Sequence, residues 1–246
     1  MPTFFVGSEA VAPPTVRISG PLLRHLKDSL RLQPGDSLTV TDERRRRYRT
    51  TVVTVTDRLL ESRILDQTEA PPRSSPSLIL AQALLKGEKM DWVIQKATEL
   101  GVDRIVPLHA RHSVVRLQAD RIDHQRERWQ RIALEAAQQS ERWTVPEIDE
   151  PATLPQLLSR HAACAAKFLL AERATGPSLN AIPLPVGPDK SLMLVIGPEG
   201  GWDPEELRLA AEQGCGTATL GRRILRAETA AIAAISIVQA RLGELG

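Results

Sequence analysis

The chain of 246 residues is poor in cysteine and in aromatics: two Cys, one Tyr, three Phe and four Trp. Cys164 and Cys215 stand far apart without a ligand spacing, which excludes a disulfide framework and a zinc site and fits a reducing compartment. Both read as small buried apolar residues. With aromatics at 3%, base stacking is not the main mode of any nucleic-acid contact, and charge and hydrogen bonding must do more. No apolar run approaches a membrane span and no basic leader opens the chain, so a cytoplasmic protein with no membrane partner is expected. The net charge of +2 means that a polyanion would have to be met by local basic patches.

What is present divides in two. Residues 1 to about 66 carry β-branched or alternating apolar runs at 3–6, 15–18, 38–41, 48–56 and 60–65, with one short helix over 21–30 and a Pro-Gly turn at 33–36. Residues 66–77 are rich in Pro and Ser and lack periodicity, so they read as a linker, and the domains are set at 1–70 and 71–246. Beyond it strands and helices alternate: strand 78–84, helix 88–100, strand 102–108, long helix 120–142, short helix 153–160, strand 165–171 and a Pro-rich loop 176–190. That alternation is the mark of an α/β domain.

The chain is organised around residues 191–206. Leu192 to Ile196 is a fully apolar strand, of the kind covered on both faces, and it stops in a loop holding Gly197, Gly200 and Gly201. Asp203 is the N-cap of the next helix, with Pro204 at its first position and Glu205 and Glu206 in its first turn; Gly214 closes it. A second strand over 217–220 ends at Gly221 and leads into a helix over 228–242 that is apolar on nearly every side. Neither loop is a Walker A or a Gly-x-Gly-x-x-Gly fingerprint, so phosphate-cradling readings weaken.

The segments Gly197-Pro198-Glu199-Gly200-Gly201 and Leu220-Gly221-Arg222-Arg223-Ile224-Leu225-Arg226-Ala227-Glu228-Thr229-Ala230 together resemble the signature of the RsmE family, 16S rRNA uridine N3-methyltransferases of the SPOUT superfamily. The resemblance covers nearly the whole chain, with further blocks at 90–101 and 135–142; Thr3 and Trp202 depart from it. It implies a SPOUT-type α/β domain with a C-terminal deep trefoil knot, preceded by a small PUA-like β-barrel. It also implies S-adenosyl-L-methionine as cofactor, 16S rRNA of the small ribosomal subunit or its precursor as partner, a homodimer and no metal.

The residues expected at the cofactor are Ile196, Gly197, Pro198, Glu199, Gly200, Gly201, Leu220, Gly221, Ile224, Leu225, Arg226 and Thr229. Uridine N3 must lose a proton, which calls for a base or for charge that stabilises the anion. Arg226 is the first choice for the charge, and Glu199 or Glu228 for the base; Glu228 also suits a helix start without any chemistry. RNA contacts are expected from Arg24 and Arg31, from the run Arg44, Arg45, Arg46, Arg47 between two strands, and from Lys86, Lys89, Lys96, Arg111, Gln139 and Arg142. The arginine run also fits a solvated hairpin tip, and Lys96 a simple i, i+3 pair with Glu99. The rival in a different class is a non-catalytic RNA-binding assembly factor, which would be free to lose Arg226, Glu228 and the glycines. Ala234 or Ile235 is expected on the dimer face of the last helix.

Overall fold

Alternating apolar residues build two separate sheets in a computed structural model that describes residues 3–171 and 176–245, with the backbone alone at Ala119. The chain divides into two compact units, one formed by Met1–Pro72 with Ala137–Thr144, the other by Arg73–Ala136 with Val145–Gly246. The eight-residue segment in the first unit lies in sequence beyond the expected linker, and local sequence patterns give no sign of it.

In the first unit β1 (Thr3–Val6), β2 (Val11–Ala12), β3 (Thr15–Ile18), β4 (Ser37–Asp42), β5 (Arg46–Val55) and β6 (Leu60–Glu69) form a six-stranded sheet in the order β1-β4-β5-β6-β3-β2. Only β1 and β4 run parallel. Alternate residues, among them Val16, Ile18, Leu38, Val40, Tyr48 and Leu60, meet in one core. The helix expected over 21–30 is α1 (Gly20–Arg24) followed by a π-helical turn over His25–Ser29. β6 runs to Glu69, into the expected linker, because Asp66 lies opposite Arg49 and Glu69 opposite Arg46. Cross-strand charge pairing extends the ladder where apolar periodicity has ended.

The second unit holds β7 (Ser77–Ala83), α2 (Lys89–Glu99), β8 (Arg104–His109), α3 (Ile122–Gln139, its last residues counted with the first unit), β9 (Glu147–Ile148), β10 (Ala152–Thr153) and α4 (Leu154–Arg160). It continues through β11 (Ala166–Leu170), β12 (Ser191–Ile196), α5 (Pro204–Glu212), β13 (Gly216–Ala218) and α6 (Ala227–Leu242). All strand pairs are parallel, in the order β10-β8-β7-β12-β11-β13 with β9 beside β8. Leu192, Leu194 and Ile196 pack into one core with α2 and α6, while Met193 and Val195 pack into another with α4 and α5. Two-sided cover is why β12 carries an unbroken apolar run.

The Pro-rich loop is anchored by a side chain from α6: Arg241 donates to the carbonyls of Leu179 and Ile182, each at 2.7 Å, and both residues are buried. α6 ends at Gly243, whose φ of 74° places it in the left-handed region that favours glycine. No helix among the described residues is long and apolar enough to cross a membrane.

Candidate active site

At the carboxyl ends of β11, β12 and β13 the parallel strands stop, and the connections that follow enclose a cavity of about 530 Å³. Open parallel sheets place ligands at such strand ends. The loop 197–202, the segment 219–225 and the first turns of α6 form its walls. Of the residues expected at the cofactor, Ile196, Gly197, Pro198, Glu199, Gly200, Gly201, Leu220, Gly221 and Leu225 line it. Ile224, 61% exposed, does not, and neither do Arg226 and Thr229, both exposed.

The glycines serve three different ends. Gly201 and Gly221 have φ of 74° and 109°, a backbone that L side chains rarely adopt. A Cβ on Gly197 would stand 2.8 Å from Nε1 of Trp202, whose indole N–H donates to the Leu170 carbonyl at 2.9 Å. The indole is thereby fixed between the ends of β11 and β12 and leaves room only for glycine. Gly200 is different: its φ lies outside the left-handed region, and a Cβ would meet the Cβ and carbonyl oxygen of His112 at 3.0 and 3.1 Å. Its missing side chain admits the chain after β8, and the left-handed constraint falls on its neighbour.

That neighbouring chain is tied to the start of α5. Asp203 caps the helix by accepting from the Glu205 amide at 2.9 Å, and Glu206 returns the bond by accepting from the Asp203 amide at 3.2 Å. Arg111 joins from outside, its amide donating to Glu206 at 3.0 Å and its guanidinium to Asp203 at 3.0 Å. Expected to meet RNA, Arg111 thus also holds two loops together.

The candidate bases stand on either side of one ammonium. Lys89 Nζ is 2.5 Å from Glu199 Oε1 and 3.6 Å from Glu228 Oε1. The hydrogen bond to Glu199 is the main reason the Lys89 ammonium is held above its ordinary pKa, with the Glu199 and Glu228 charges adding to it. Glu228 Oε2 is buried without a hydrogen-bond partner among the described residues. Arg226 is the N-cap residue of α6 and exposed; its carbonyl accepts from the Ala230 amide at 2.8 Å, while its guanidinium, like those of Arg222 and Arg223, has no hydrogen-bond or ion-pair partner among the described residues. Arg223 lines the cavity.

The remaining expected RNA residues scatter. Lys96 pairs with Glu99 at 2.8 Å, the plain alternative named for it, and Lys86 is exposed. In the first unit Arg24, Arg31, Arg44 and Gln139 are exposed. Arg45 donates to the Pro71 carbonyl at 3.1 Å and Arg46 pairs with Glu69 at 3.3 Å. Arg47 donates to the carbonyls of Glu141 and Arg142 at 2.8 and 3.2 Å and stacks on the Trp143 ring, 4.0 Å from its centroid. Only Arg44 and Arg45 stay in the turn, since β5 begins at Arg46. Burial pushes the Cys215 thiol up to about 11, which suits an inert core residue.

Among the lining residues that sequence reasoning missed are Leu170, Trp202, Ala218, Thr219 and Arg223. The strand-end rule applied to β11, paired in register with β12 so that Leu170 lies beside Ile196, would have found the first of them.

A glycine-walled cavity at the ends of parallel strands defines the class, and residues 72–239 accordingly match the family model described as RNA methyltransferase domain. A Bacillus subtilis (strain 168) protein named ribosomal RNA small subunit methyltransferase E is 32% identical over 92% of this chain and 90% of its own. Its namesake in Synechocystis is 34% identical over 96% of this chain and 77% of its own. A crystal structure of ribosomal RNA small subunit methyltransferase E from Neisseria gonorrhoeae bound to S-adenosyl methionine superposes with a TM-score of 0.87 at 30% identity, covering 98% of both chains. The chain belongs to the ribosomal RNA small subunit methyltransferase E family.

Proposed function

We propose that the protein moves a methyl group from S-adenosyl-L-methionine to N3 of a uridine in 16S rRNA, within the small ribosomal subunit or its precursor. The observation that carries this reading is the cavity between Gly197 and Leu225. Its volume of about 530 Å³ falls among ordinary small-molecule sites. Leu170, Ile196, Leu220 and Leu225 offer apolar wall for an adenine and methylene groups, and Gly201 and Gly221 bring bare backbone whose polar groups suit a ligand with polar ends, so the residues present fit the cofactor. Bound there, the cofactor supplies a methyl already activated by its sulfonium.

The chain's own part is to bind, orient and manage one proton. Arg226 and its unpartnered neighbours Arg222 and Arg223 offer positive charge to the uridine anion and to phosphate. Glu199 or Glu228 accepts the N3 proton. The first unit is read as a PUA-like barrel over residues 1–70 that presents Arg24, Arg31 and Arg44 to RNA. The second is read as a SPOUT domain over 71–246, closed by a C-terminal trefoil knot. As a member of a family named for modifying ribosomal RNA, the protein is proposed to act in the cytoplasm.

A homodimer through α6 completes the reading, with its contact face moved. Ala234 and Ile235, expected at that contact, are wholly buried in the subunit's own core. Thr229, Ala233, Ser236 and Ala240 share the outer face at helical spacing, and their small side chains suit close two-fold approach. Ala233→Arg is expected to halve the sedimenting mass at micromolar concentration with the fold retained; an unchanged mass removes this face from the interface.

The activity is tested directly. Calorimetric titration with S-adenosyl-L-methionine is expected to give one site per chain, and 16S rRNA treated with enzyme and cofactor is expected to stop reverse transcription at one uridine. N3 methylation blocks that base's pairing edge, so a full-length transcript with no methylated uridine by mass spectrometry defeats the reading.

A further inference from the structure

Lys89, expected on the RNA, has its ammonium between two carboxylates that reach it from different elements, the loop after β12 and the first turn of α6. The two are not equivalent. Glu199 is 28% exposed and stands 2.5 Å from the ammonium; Glu228 is 15% exposed and 3.6 Å away. Two carboxylates around one ammonium leave one excess negative charge. Glu199, in hydrogen-bond contact with Lys89, has its charge directly answered. Glu228 keeps one oxygen, Oε2, buried and without a partner among the described residues. Burying an acceptor unpaired costs free energy unless a donor arrives at some stage of the work.

The other charged groups around Glu228 are engaged elsewhere or exposed. On α2, Asp91 is bound to Arg128 at 2.6 Å and to the Trp129 indole at 3.1 Å, and Lys96 is bound to Glu99. β12 carries no charged residue. In the segment entering α6, Arg222, Arg223 and Arg226 are exposed.

We infer that Glu228 Oε2 is the acceptor of the uridine N3 proton and that Lys89, anchored by Glu199, is the positioning residue that holds Glu228 oriented for it. The inference rests on the methyl-transfer reading above and divides the labour between two carboxylates which that reading leaves equivalent. In the step, the N3–H bond breaks and its proton goes to Oε2. The N3 electron pair forms the new N–C bond, the methyl–sulfur bond breaks, and its pair stays on sulfur.

The test is a single-turnover pH–rate profile on small-subunit rRNA, with cofactor affinity and RNA affinity measured on the same samples. Glu228→Gln is expected to lower the rate about 100-fold or more, the span of general-base catalysis, and to erase the acidic limb of the profile while cofactor affinity holds. Lys89→Met is expected to move the acidic limb to higher pH, since loss of the cation makes the carboxylate easier to protonate. Lys89→Arg should restore the limb. If Lys89 instead binds RNA, Lys89→Met leaves the limb in place, weakens RNA affinity and lowers the salt slope by about one, and the inference is overturned. It is equally overturned if Glu199→Gln erases the limb and Glu228→Gln keeps it. Should the wild type bind no cofactor or methylate no uridine, the parent reading fails instead.

Discussion

Two arginine-rich segments face opposite fates. In the first unit Arg45, Arg46 and Arg47 are answered within the unit by a carbonyl, a carboxylate, and two carbonyls with an indole. In the second, Arg222, Arg223 and Arg226 have no such partner among the described residues and stand at or beside the cavity. Similar composition therefore holds a loop in one place and leaves charge available to a ligand in the other. The difference lies in geometry: strand pairing brings Glu69 to the first segment and the turn after α3 brings it the carbonyls of residues 141–142, whereas the second segment lies between a glycine turn and a helix start.

Substitutions in the two segments can break this contrast. The largest effect is expected from Arg226→Met, which should lower single-turnover methyl transfer by about 100-fold or more, as for removal of one group stabilising a developing anion, with the melting temperature unchanged. Arg45→Ser, at a guanidinium answered within its own unit, should leave the rate alone in the same assay. Equal reductions in both would erase the distinction.

Next in size is the effect on RNA affinity. Replacing Arg222 and Arg223 together by Ser should flatten the dependence of log affinity on log salt by about two, one unit for each phosphate that is no longer neutralised. The matched pair Arg45→Ser with Arg46→Ser should leave that slope in place. A fall for the second pair alone would put the phosphate contacts on Arg45 and Arg46 instead of Arg222 and Arg223.

The smallest effect is on stability. Arg47→Ser removes two charge-assisted hydrogen bonds and the stacking on Trp143, and should cost about 1–2 kcal/mol in denaturant unfolding of the intact chain. Arg44→Ser should shift the same curve by less than about 0.5 kcal/mol, as for an ordinary surface position. A cost at Arg44 as large as at Arg47 would mean that the turn, and not the tie to residues 141–143, is what the run stabilises.

What could be read from the sequence follows the range of the interactions. The apolar run of β12, the Asp203 cap and the glycines at 197–201 and 221 are local signals, and they locate the cavity because strand, loop and helix succeed one another along the chain. Ala137–Thr144 joining the first unit, β6 reaching Glu69, and the engagement of Arg47 and Lys89 depend on residues 20 to more than 100 positions away. A basic residue looks the same in sequence whether its partner is a phosphate or a distant carboxylate. Ala234 shows the same limit on α6: a helix apolar all round announces that it is covered, and only its neighbours decide which side is covered by its own subunit.

The Trp202 indole, fixed at the lip of the cavity by its bond to Leu170, also gives the chain an optical reporter. Trp92 is exposed, Trp129 lies in the core and Trp143 sits beneath a guanidinium. With those three replaced by Phe, emission would come from one fluorophore at the cavity wall. Its colour and yield would then follow ligand arrival on the stopped-flow timescale without any label, and separate the binding step from the chemistry that succeeds it.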